Sequence, residues 1–269
     1  SNLLQGARQF SARVAVPCSN VLGESPIFCS QSNLLYWISA PEGQVWMWTP
    51  DGTFSPCKHT FPETIGCIGL CADGNLVIAM ESAICKYDPV SKEKTVLAAS
   101  PEPFSDTRPN DGRIDRFGNL VFGTYNNNHK GGATVGEDNA GLYRLRTDGN
   151  LEEILDYKFR VSNGICFSPD GRTMYFCDSP TRKVFAFDYD GVSGLSNRRL
   201  VFIQPSALPG SPDGAQVDAE GFLWLALSGA GRVVRLDPES GRVDMEVLLP
   251  VQSPTSITFG GKDLGTLYI

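Results

Sequence analysis

Apolar residues in this sequence alternate with polar ones or stand in runs of four or five, without the spacing of an amphipathic helix. One phrase returns six times: an apolar strand, a turn with Asp, Gly or Asn, and a second apolar strand, in most copies with an aromatic residue. The copies are PIFCSQSNLLYWIS (26–39), IGLCADGNLVIAM (68–80), GRIDRFGNLVFGT (112–124), GICFSPDGRTMYFCDS (164–179), AQVDAEGFLWLALS (215–228) and SITFGGKDLGTLYI (256–269). A third apolar strand follows each of the first five copies. The pattern predicts an all-β chain.

The nearly constant period of these copies indicates the fold class. One apolar position of the second strand marks each copy: Leu35, Leu76, Leu120, Met174, Leu223 and Leu267. Successive markers are 41, 44, 54, 49 and 44 residues apart. Short strands joined by DG and NG turns at a period of about 40 to 50 residues are typical of a β-propeller. A β-sandwich of repeated hairpins is the alternative, but it does not explain why the same phrase returns six times.

We therefore predict one domain over residues 1–269, a six-bladed β-propeller with a central channel. The sixth copy lacks a third strand, whereas a closed propeller needs every blade filled. We predict that the N-terminal stretch RQFSARVAV supplies an outer strand to the sixth blade and closes the ring. The short last copy also leaves a truncated C-terminus open as an alternative.

The composition of the chain argues against some classes of binding partner. Its 269 residues carry a net charge of −7, which argues against nucleic acid and against an anionic membrane surface, since both attract basic proteins. No apolar run is long enough to span a membrane, and the N-terminus shows no secretory signal, so we expect a cytoplasmic protein. None of the eight cysteines forms a CxxC pair, and we interpret them as free thiols that pack as small apolar groups.

Candidate chemistry lies ten or eleven residues before the markers, where the innermost strand of each blade faces the channel. Four copies place an oxygen-bearing side chain there: Glu24, Asn110, Asn163 and Asp213. Carboxylate and amide oxygens suit a hard cation such as Ca²⁺, Mg²⁺ or Mn²⁺. Taken alone, each of these residues is more often part of a turn than a metal ligand, except Glu24, because LGESPIF is not a turn sequence. The register that the four residues share favours a metal site. We predict one divalent cation in the channel, with Ca²⁺ preferred and Mg²⁺, Mn²⁺, Zn²⁺ or Fe²⁺ as alternatives.

Four ordered motifs carry a resemblance to a known family. LGESPIF, RPNDGR, SNGICFSPDGRTMYFCDS and SPDGAQVDAEGFLWLA resemble the SMP-30/gluconolactonase/luciferin-regenerating-enzyme-like family, from Gly23 to the end of the sequence. The resemblance implies that Glu24, Asn163 and Asp213 bind a divalent cation at the mouth of a six-bladed propeller. It also implies that Arg108 and Asn110 contact the substrate. The chain departs from the family where a glutamate is expected, and the stretch GTYNNNHKGG offers Asn128 or His129 instead.

These residues and the resemblance together predict a hydrolase that opens a sugar lactone to the aldonic acid. A bound cation polarises the lactone carbonyl or lowers the pKa of a bound water, and a base must then accept a proton. Asp213 is the first candidate for the base and Glu24 the second. Arg108 favours a hydroxyl-rich substrate, which it would hold through its fork of donors.

Two other functions remain open at this stage, a phosphotriesterase-like hydrolase and a calcium-binding or ligand-binding propeller without enzymatic activity. The polar, glycine-rich segment 125–139 is either a mobile lid or an ordinary surface loop.

Overall fold

The structure is a computed structural model that describes residues 4–103, 106–126 and 137–269, and the described part of the chain is built from β-strands. A first strand, β1 (Arg8–Ser11), precedes five antiparallel sheets, or blades. Blades one and two contain β2 (Gly23–Cys29), β3 (Leu34–Ser39), β4 (Gln44–Trp48) and β5 (Cys57–Thr60), then β6 (Ile65–Leu70), β7 (Leu76–Met80), β8 (Ala83–Tyr87) and β9 (Lys94–Ala99). Blade three contains β10 (Thr107–Ile114), β11 (Leu120–Asn126), β12 (Leu142–Leu145) and β13 (Leu151–Glu153).

Blades four and five follow the same order, and a smaller sheet comes last. They contain β14 (Ser162–Phe167), β15 (Thr173–Asp178), β16 (Lys183–Asp190) and β17 (Gly194–Ile203), then β18 (Ser211–Val217), β19 (Leu223–Ser228), β20 (Arg232–Leu236) and β21 (Val243–Leu248). The last sheet has two strands, β22 (Thr258–Gly260) and β23 (Thr266–Tyr268). A short 3₁₀ turn, Ser179–Thr181, follows β15.

The all-β propeller prediction is confirmed, but the prediction of six blades is wrong. The structure has five complete blades and one two-stranded sheet, because the last copy of the repeat supplies a single hairpin. The strand that the sequence assigns to this hairpin lies elsewhere in the fold.

The N-terminal strand extends blade five, so its predicted place on the last sheet is also wrong. β1 pairs in parallel with β21, from Arg8 opposite Met245 to Ser11 opposite Leu248. The Gln9 side chain adds a hydrogen bond of 2.9 Å to Glu246. The physical reason is the length of the available edge: the outer strand of blade five offers six residues, and β23 offers three. A longer edge satisfies more of the backbone groups of the added strand.

The apolar core lies between neighbouring blades. Ile38 of blade one packs in the same fully buried cluster as Ile65 and Ile78 of blade two. Val184 of blade four and Leu225 of blade five share a second cluster. Alternating side chains of each strand point to the two faces of its sheet, so a buried strand can contact both neighbouring blades.

The cysteines belong to this packing. All eight are free, as the sequence predicts, and five are buried: Cys29, Cys67, Cys85, Cys166 and Cys177. In the described ranges, no helix combines the length and the apolar character that a membrane span requires.

The innermost strands surround one axis. In chain order β2, β6, β10, β14 and β18 each contact the next, and β22 contacts both β18 and β2. Thr255, just before β22, joins the two sides of this gap: its carbonyl accepts a hydrogen bond of 2.6 Å from the Gly214 amide of blade five. Its hydroxyl donates to the Gly23 carbonyl of blade one. The ring is therefore continuous even though the last sheet is small.

Candidate functional site

The innermost strand of every complete blade contains a break in its pairing at the same level of the channel. The register shifts lie between Glu24 and Ile27, Ile65 and Cys67, Pro109 and Gly112, Asn163 and Cys166, and Pro212 and Ala215. β-Bulges of this kind bend a strand and redirect its side chains, and they are over-represented next to functional sites. This repeated bulge explains why the candidate residues stand at nearly equal distances before the marker residues in the sequence.

Blade two carries no polar side chain at this level because the neighbouring blade leaves no room for one. A Cβ atom on Gly66 would lie 2.3 Å from the carbonyl of Pro109 and 2.8 Å from the amide nitrogen of Asn110. Glycine therefore allows β6 and β10 to approach closely at the point where β10 presents Asn110.

Two amide side chains meet at the channel. The Nδ2 of Asn110 donates to the Oδ1 of Asn163 at 3.1 Å and to the carbonyl of Ser162 at 2.8 Å. The Nδ2 of Asn163 donates to the Ser179 hydroxyl at 2.9 Å, and that hydroxyl donates to the Pro212 carbonyl at 2.7 Å. A chain of hydrogen bonds thus connects blades three, four and five at the residue before Asp213.

Three carboxylates, Glu24, Asp111 and Asp213, influence one another at the same level. Burial raises the pKa of Glu24 well above its usual range, and the charges of Asp213 and Asp111 raise it further. Burial also raises the pKa of Asp213, and Asp111 adds to the rise. The Oδ1 atom of Asp213 is buried without a hydrogen-bond partner. Like charges that share a partly buried site repel, so binding of either a proton or a cation relieves the repulsion among these carboxylates.

Asp111 is the member of this group that sequence reasoning missed. Its Oδ2 accepts a hydrogen bond of 2.8 Å from the Ile165 amide of blade four. Burial raises its pKa to about 6, while Arg113 acts in the opposite direction. In the sequence, Asp111 stands in a DG dipeptide that reads as a turn, although it directly follows Asn110 in the shared register.

Arg108 lies at the edge of this site and is held by two neighbours. Its guanidinium donates from Nη1 to the Asn110 Oδ1 at 3.1 Å and to the Pro109 carbonyl at 2.9 Å. The same group lies 4.7 Å from the ring centre of Tyr125, which is directly opposite Arg108 in the pairing of β10 with β11. The sequence places Tyr125 in the polar segment 125–139, whereas the structure places it in β11.

Asn128 and His129 lie outside the described residues, as does most of the segment 125–139, so their predicted roles remain predictions. The other histidine, His59, lies on the outer strand of blade one and shares a 2.6 Å hydrogen bond with Tyr87.

The donor atoms of the channel suit a hard cation. Within residues 4–103, 106–126 and 137–269, no three or more His, Cys, Asp or Glu side chains form a group that could hold a metal ion. The candidate set instead combines the carboxylates of Glu24 and Asp213 with the amide oxygen of Asn163. The unpartnered Oδ1 of Asp213 and the raised pKa of Glu24 fit a place where a positive charge is bound.

Comparison with known proteins shows the family to which the chain is similar. A family model described as the SMP-30/Gluconolactonase/LRE-like region matches residues 22–269. The chain is 35% identical to a 6-deoxy-6-sulfogluconolactonase of Pseudomonas putida, over 93% of the chain and 83% of that protein. It is 35% identical to an L-arabinolactonase of Azospirillum brasilense, over 93% of the chain and 80% of that protein. A solved structure of regucalcin from Agrobacterium tumefaciens, titled a calcium-binding protein, has a TM-score of 0.87 at 25% identity, over 97% of the chain and 85% of that structure.

Proposed function

The chain belongs to the SMP-30/gluconolactonase/LRE-like family, and from this premise we propose that it is a hydrolase that opens a sugar lactone to the aldonic acid with the help of one divalent cation. The relatives named as lactonases support the reaction, in agreement with the sequence-based prediction. The observation that carries the proposal is the Arg108–Asn110 pair at the edge of a group of buried carboxylates. Donors for hydroxyl groups thus lie beside acceptors for a cation.

Glu24, Asn163 and Asp213 would hold the cation in this proposal. When bound, a divalent cation polarises an ester carbonyl and lowers the pKa of a coordinated water. We expect Ca²⁺, because the solved relative is named as a calcium-binding protein and the donors are all oxygens. Mg²⁺, Mn²⁺, Zn²⁺ and Fe²⁺ are to be tested beside it.

The protein's own side chains accept the proton and hold the substrate. Asp213 accepts a proton from the attacking water, with Glu24 as the second candidate for this role. Arg108 and Asn110 hold hydroxyl groups of the sugar, since together they offer a fork of N–H donors and an amide. Asn128 is proposed to contact the substrate as well.

Turnover of gluconolactone, xylonolactone and arabinonolactone, measured with EDTA and after cation is added back, tests this function. We expect hydrolysis that EDTA abolishes and a divalent cation restores. A phosphotriester measured in parallel covers the second hydrolase. Hydrolysis of the phosphotriester alone would replace the lactonase proposal, and cation binding without any turnover would favour a binding protein.

Arg108 is expected to discriminate between lactones with and without hydroxyl groups. Arg108→Ala is expected to lower kcat/KM for a polyhydroxylated lactone. The loss should correspond to about 1–3 kcal/mol of transition-state binding free energy, the range for a lost charge-assisted hydrogen bond. The loss should be much smaller for γ-butyrolactone, which offers no ring hydroxyls, and the cation affinity should not fall, because the variant removes a positive charge that acts on Glu24. Arg108→Lys should rescue poorly, because lysine keeps the charge but loses the fork. An equal loss on both lactones would mean that Arg108 acts on the carbonyl instead.

Tyr125 should affect the preference for a polyhydroxylated lactone over γ-butyrolactone through its contact with Arg108. Tyr125→Leu removes the ring that faces the guanidinium, a contact worth about 0.5–2 kcal/mol, so the preference for the polyhydroxylated lactone should fall by about 2- to 30-fold. Tyr125→Phe keeps the ring face and is the matched control, which should stay close to the wild type. If both variants lose the preference equally, the hydroxyl of Tyr125 matters and the ring contact does not.

A further inference from the structure

Two side chains of β10 that the proposed reaction does not use reach the backbones of two other blades. The Oδ2 of Asp111 accepts a hydrogen bond from the Ile165 amide of blade four at 2.8 Å. The Nη2 of Arg113 donates to the Ala215 carbonyl of blade five at 3.0 Å. In both cases the contacted residue lies two positions after a candidate ligand, Asn163 in blade four and Asp213 in blade five.

These contacts fall on the breaks in pairing that carry the candidate ligands. Ile165 lies in the unpaired part of β14, between Asn163 and Cys166. Ala215 is the first residue of β18 that pairs again after the break. A bulge leaves backbone groups without their ladder partners, and a buried group of this kind must find another partner. For Ile165, Asp111 supplies that partner from the neighbouring blade.

Arg113 reaches beyond the neighbouring blade to make its contact. It starts on blade three and ends on blade five, so its side chain passes the inner strand of blade four. Burial raises the pKa of the Cys67 and Cys166 thiols, and the positive charge of Arg113 opposes the rise at both. Because these cysteines belong to the inner strands of blades two and four, the charge of Arg113 acts on those strands as well.

We propose that Asp111 and Arg113 are positioning residues that clamp the bulges of β14 and β18 and thereby aim Asn163 and Asp213 at one cation. The inference rests on the cation site of the proposed function and assigns a second role to the RPNDGR motif. Arg108 and Asn110 serve the substrate, whereas Asp111 and Arg113 hold the strands that carry two of the ligands.

Replacement of Arg113 separates positioning from simple electrostatics, because the two effects have opposite signs. If Arg113 acts through its charge alone, Arg113→Met removes a nearby positive charge and must tighten cation binding. If Arg113 clamps β18, the same change must weaken binding, by about 10- to 100-fold as for other residues that orient metal ligands. Calorimetric titration of the metal-depleted protein with Ca²⁺ measures this affinity without any substrate.

The matched control for charge is Arg116→Met, because Arg116 lies three positions later and is exposed. It should leave the Ca²⁺ affinity close to that of the wild type. If Arg113→Met binds Ca²⁺ as tightly as the wild type or more tightly, the clamp is overturned. That result leaves the proposed function in place as long as the wild-type protein binds the cation and hydrolyses the lactone. A wild-type protein that binds no cation would overturn both.

Asp111 provides a second pair of variants in case Arg113→Met does not fold. Asp111→Asn keeps an oxygen that can accept from the Ile165 amide, and Asp111→Ala does not. Both remove the same charge, so the positioning role predicts a clearly weaker Ca²⁺ affinity for the alanine variant than for the asparagine variant. Equal affinities in the two variants would assign the effect to charge and overturn the clamp.

Discussion

Asp213→Asn is expected to lower kcat for a sugar lactone by about 100-fold or more with little change in KM. Residues that merely orient metal ligands contribute about 10- to 100-fold, and Asp213 is proposed both to bind the cation and to accept a proton. Asparagine has nearly the same shape, so the hydrogen bond between Gly214 and Thr255 should persist. Steady-state kinetics with saturating cation measure the change.

Two comparisons sharpen this test. Glu24→Gln removes the other carboxylate ligand but not the first candidate base, so it should respond more strongly to added cation than Asp213→Asn does. Asp148→Asn, in an exposed turn, controls for the change of charge and should behave like the wild type. Near-normal kcat in Asp213→Asn with added cation would show that Asp213 is neither the base nor an essential ligand.

The same substitution should stabilise the metal-free protein. Burial and the negative charge of Asp111 raise the pKa of Asp213, so its ionised form costs folding free energy at neutral pH. Removal of that charge is expected to raise the melting temperature of the metal-depleted variant above that of the metal-depleted wild type. A lower melting temperature would mean that the carboxylate has a stabilising partner in the absence of cation.

Gly66→Ala is expected to reduce the stability of the fold strongly. The added Cβ would lie 2.3 Å from the backbone carbonyl of Pro109, and neither backbone can move without disturbing an inner strand. Overpacking of a core typically costs about 1–3 kcal/mol and occasionally more, and we expect the upper end or above because the clash is with backbone. Urea unfolding of the metal-depleted protein measures the loss.

Gly265→Ala is the matched control, because a Cβ at Gly265 would meet nothing within 4 Å. It should leave the urea midpoint nearly unchanged. The clash at Gly66 also involves the backbone nitrogen of Asn110. Gly66→Ala should therefore reduce turnover even at temperatures where the protein remains folded. Unchanged stability in Gly66→Ala would contradict the close approach of β6 and β10.

The register of the candidate site could be predicted from the sequence because the fold repeats it. Each inner strand breaks its pairing at the same distance from the following strand, so Glu24, Asn163 and Asp213 keep nearly equal offsets from their markers. Asp111 could not be identified in this way. The bulge of β10 leaves two consecutive residues, Asn110 and Asp111, unpaired, whereas a count of one residue per blade finds only the first.

The errors in the predicted fold concern pairing between distant parts of the chain. Local pattern identifies the strand RQFS, but it does not say which edge that strand will join. The choice between β21 and β23 depends on the length of each edge in the folded protein, and strand periodicity carries no information about it. Tyr125 was assigned to a loop for a related reason, since its place in the sheet and its contact depend on pairing with Arg108 of the preceding strand.

The bridge through Thr255 has a consequence for the order in which the protein is assembled. Its hydroxyl joins Gly23 across 232 positions of the sequence, so this contact cannot form until synthesis has passed Thr255 and that segment has left the ribosome. Contacts between such distant residues slow folding, because the entropy of a long loop must be lost before the contact forms. Each blade can pair its own strands early, but the carboxylates of Glu24 and Asp213 meet only when the ring closes. Capture of the cation would therefore be among the last events of folding.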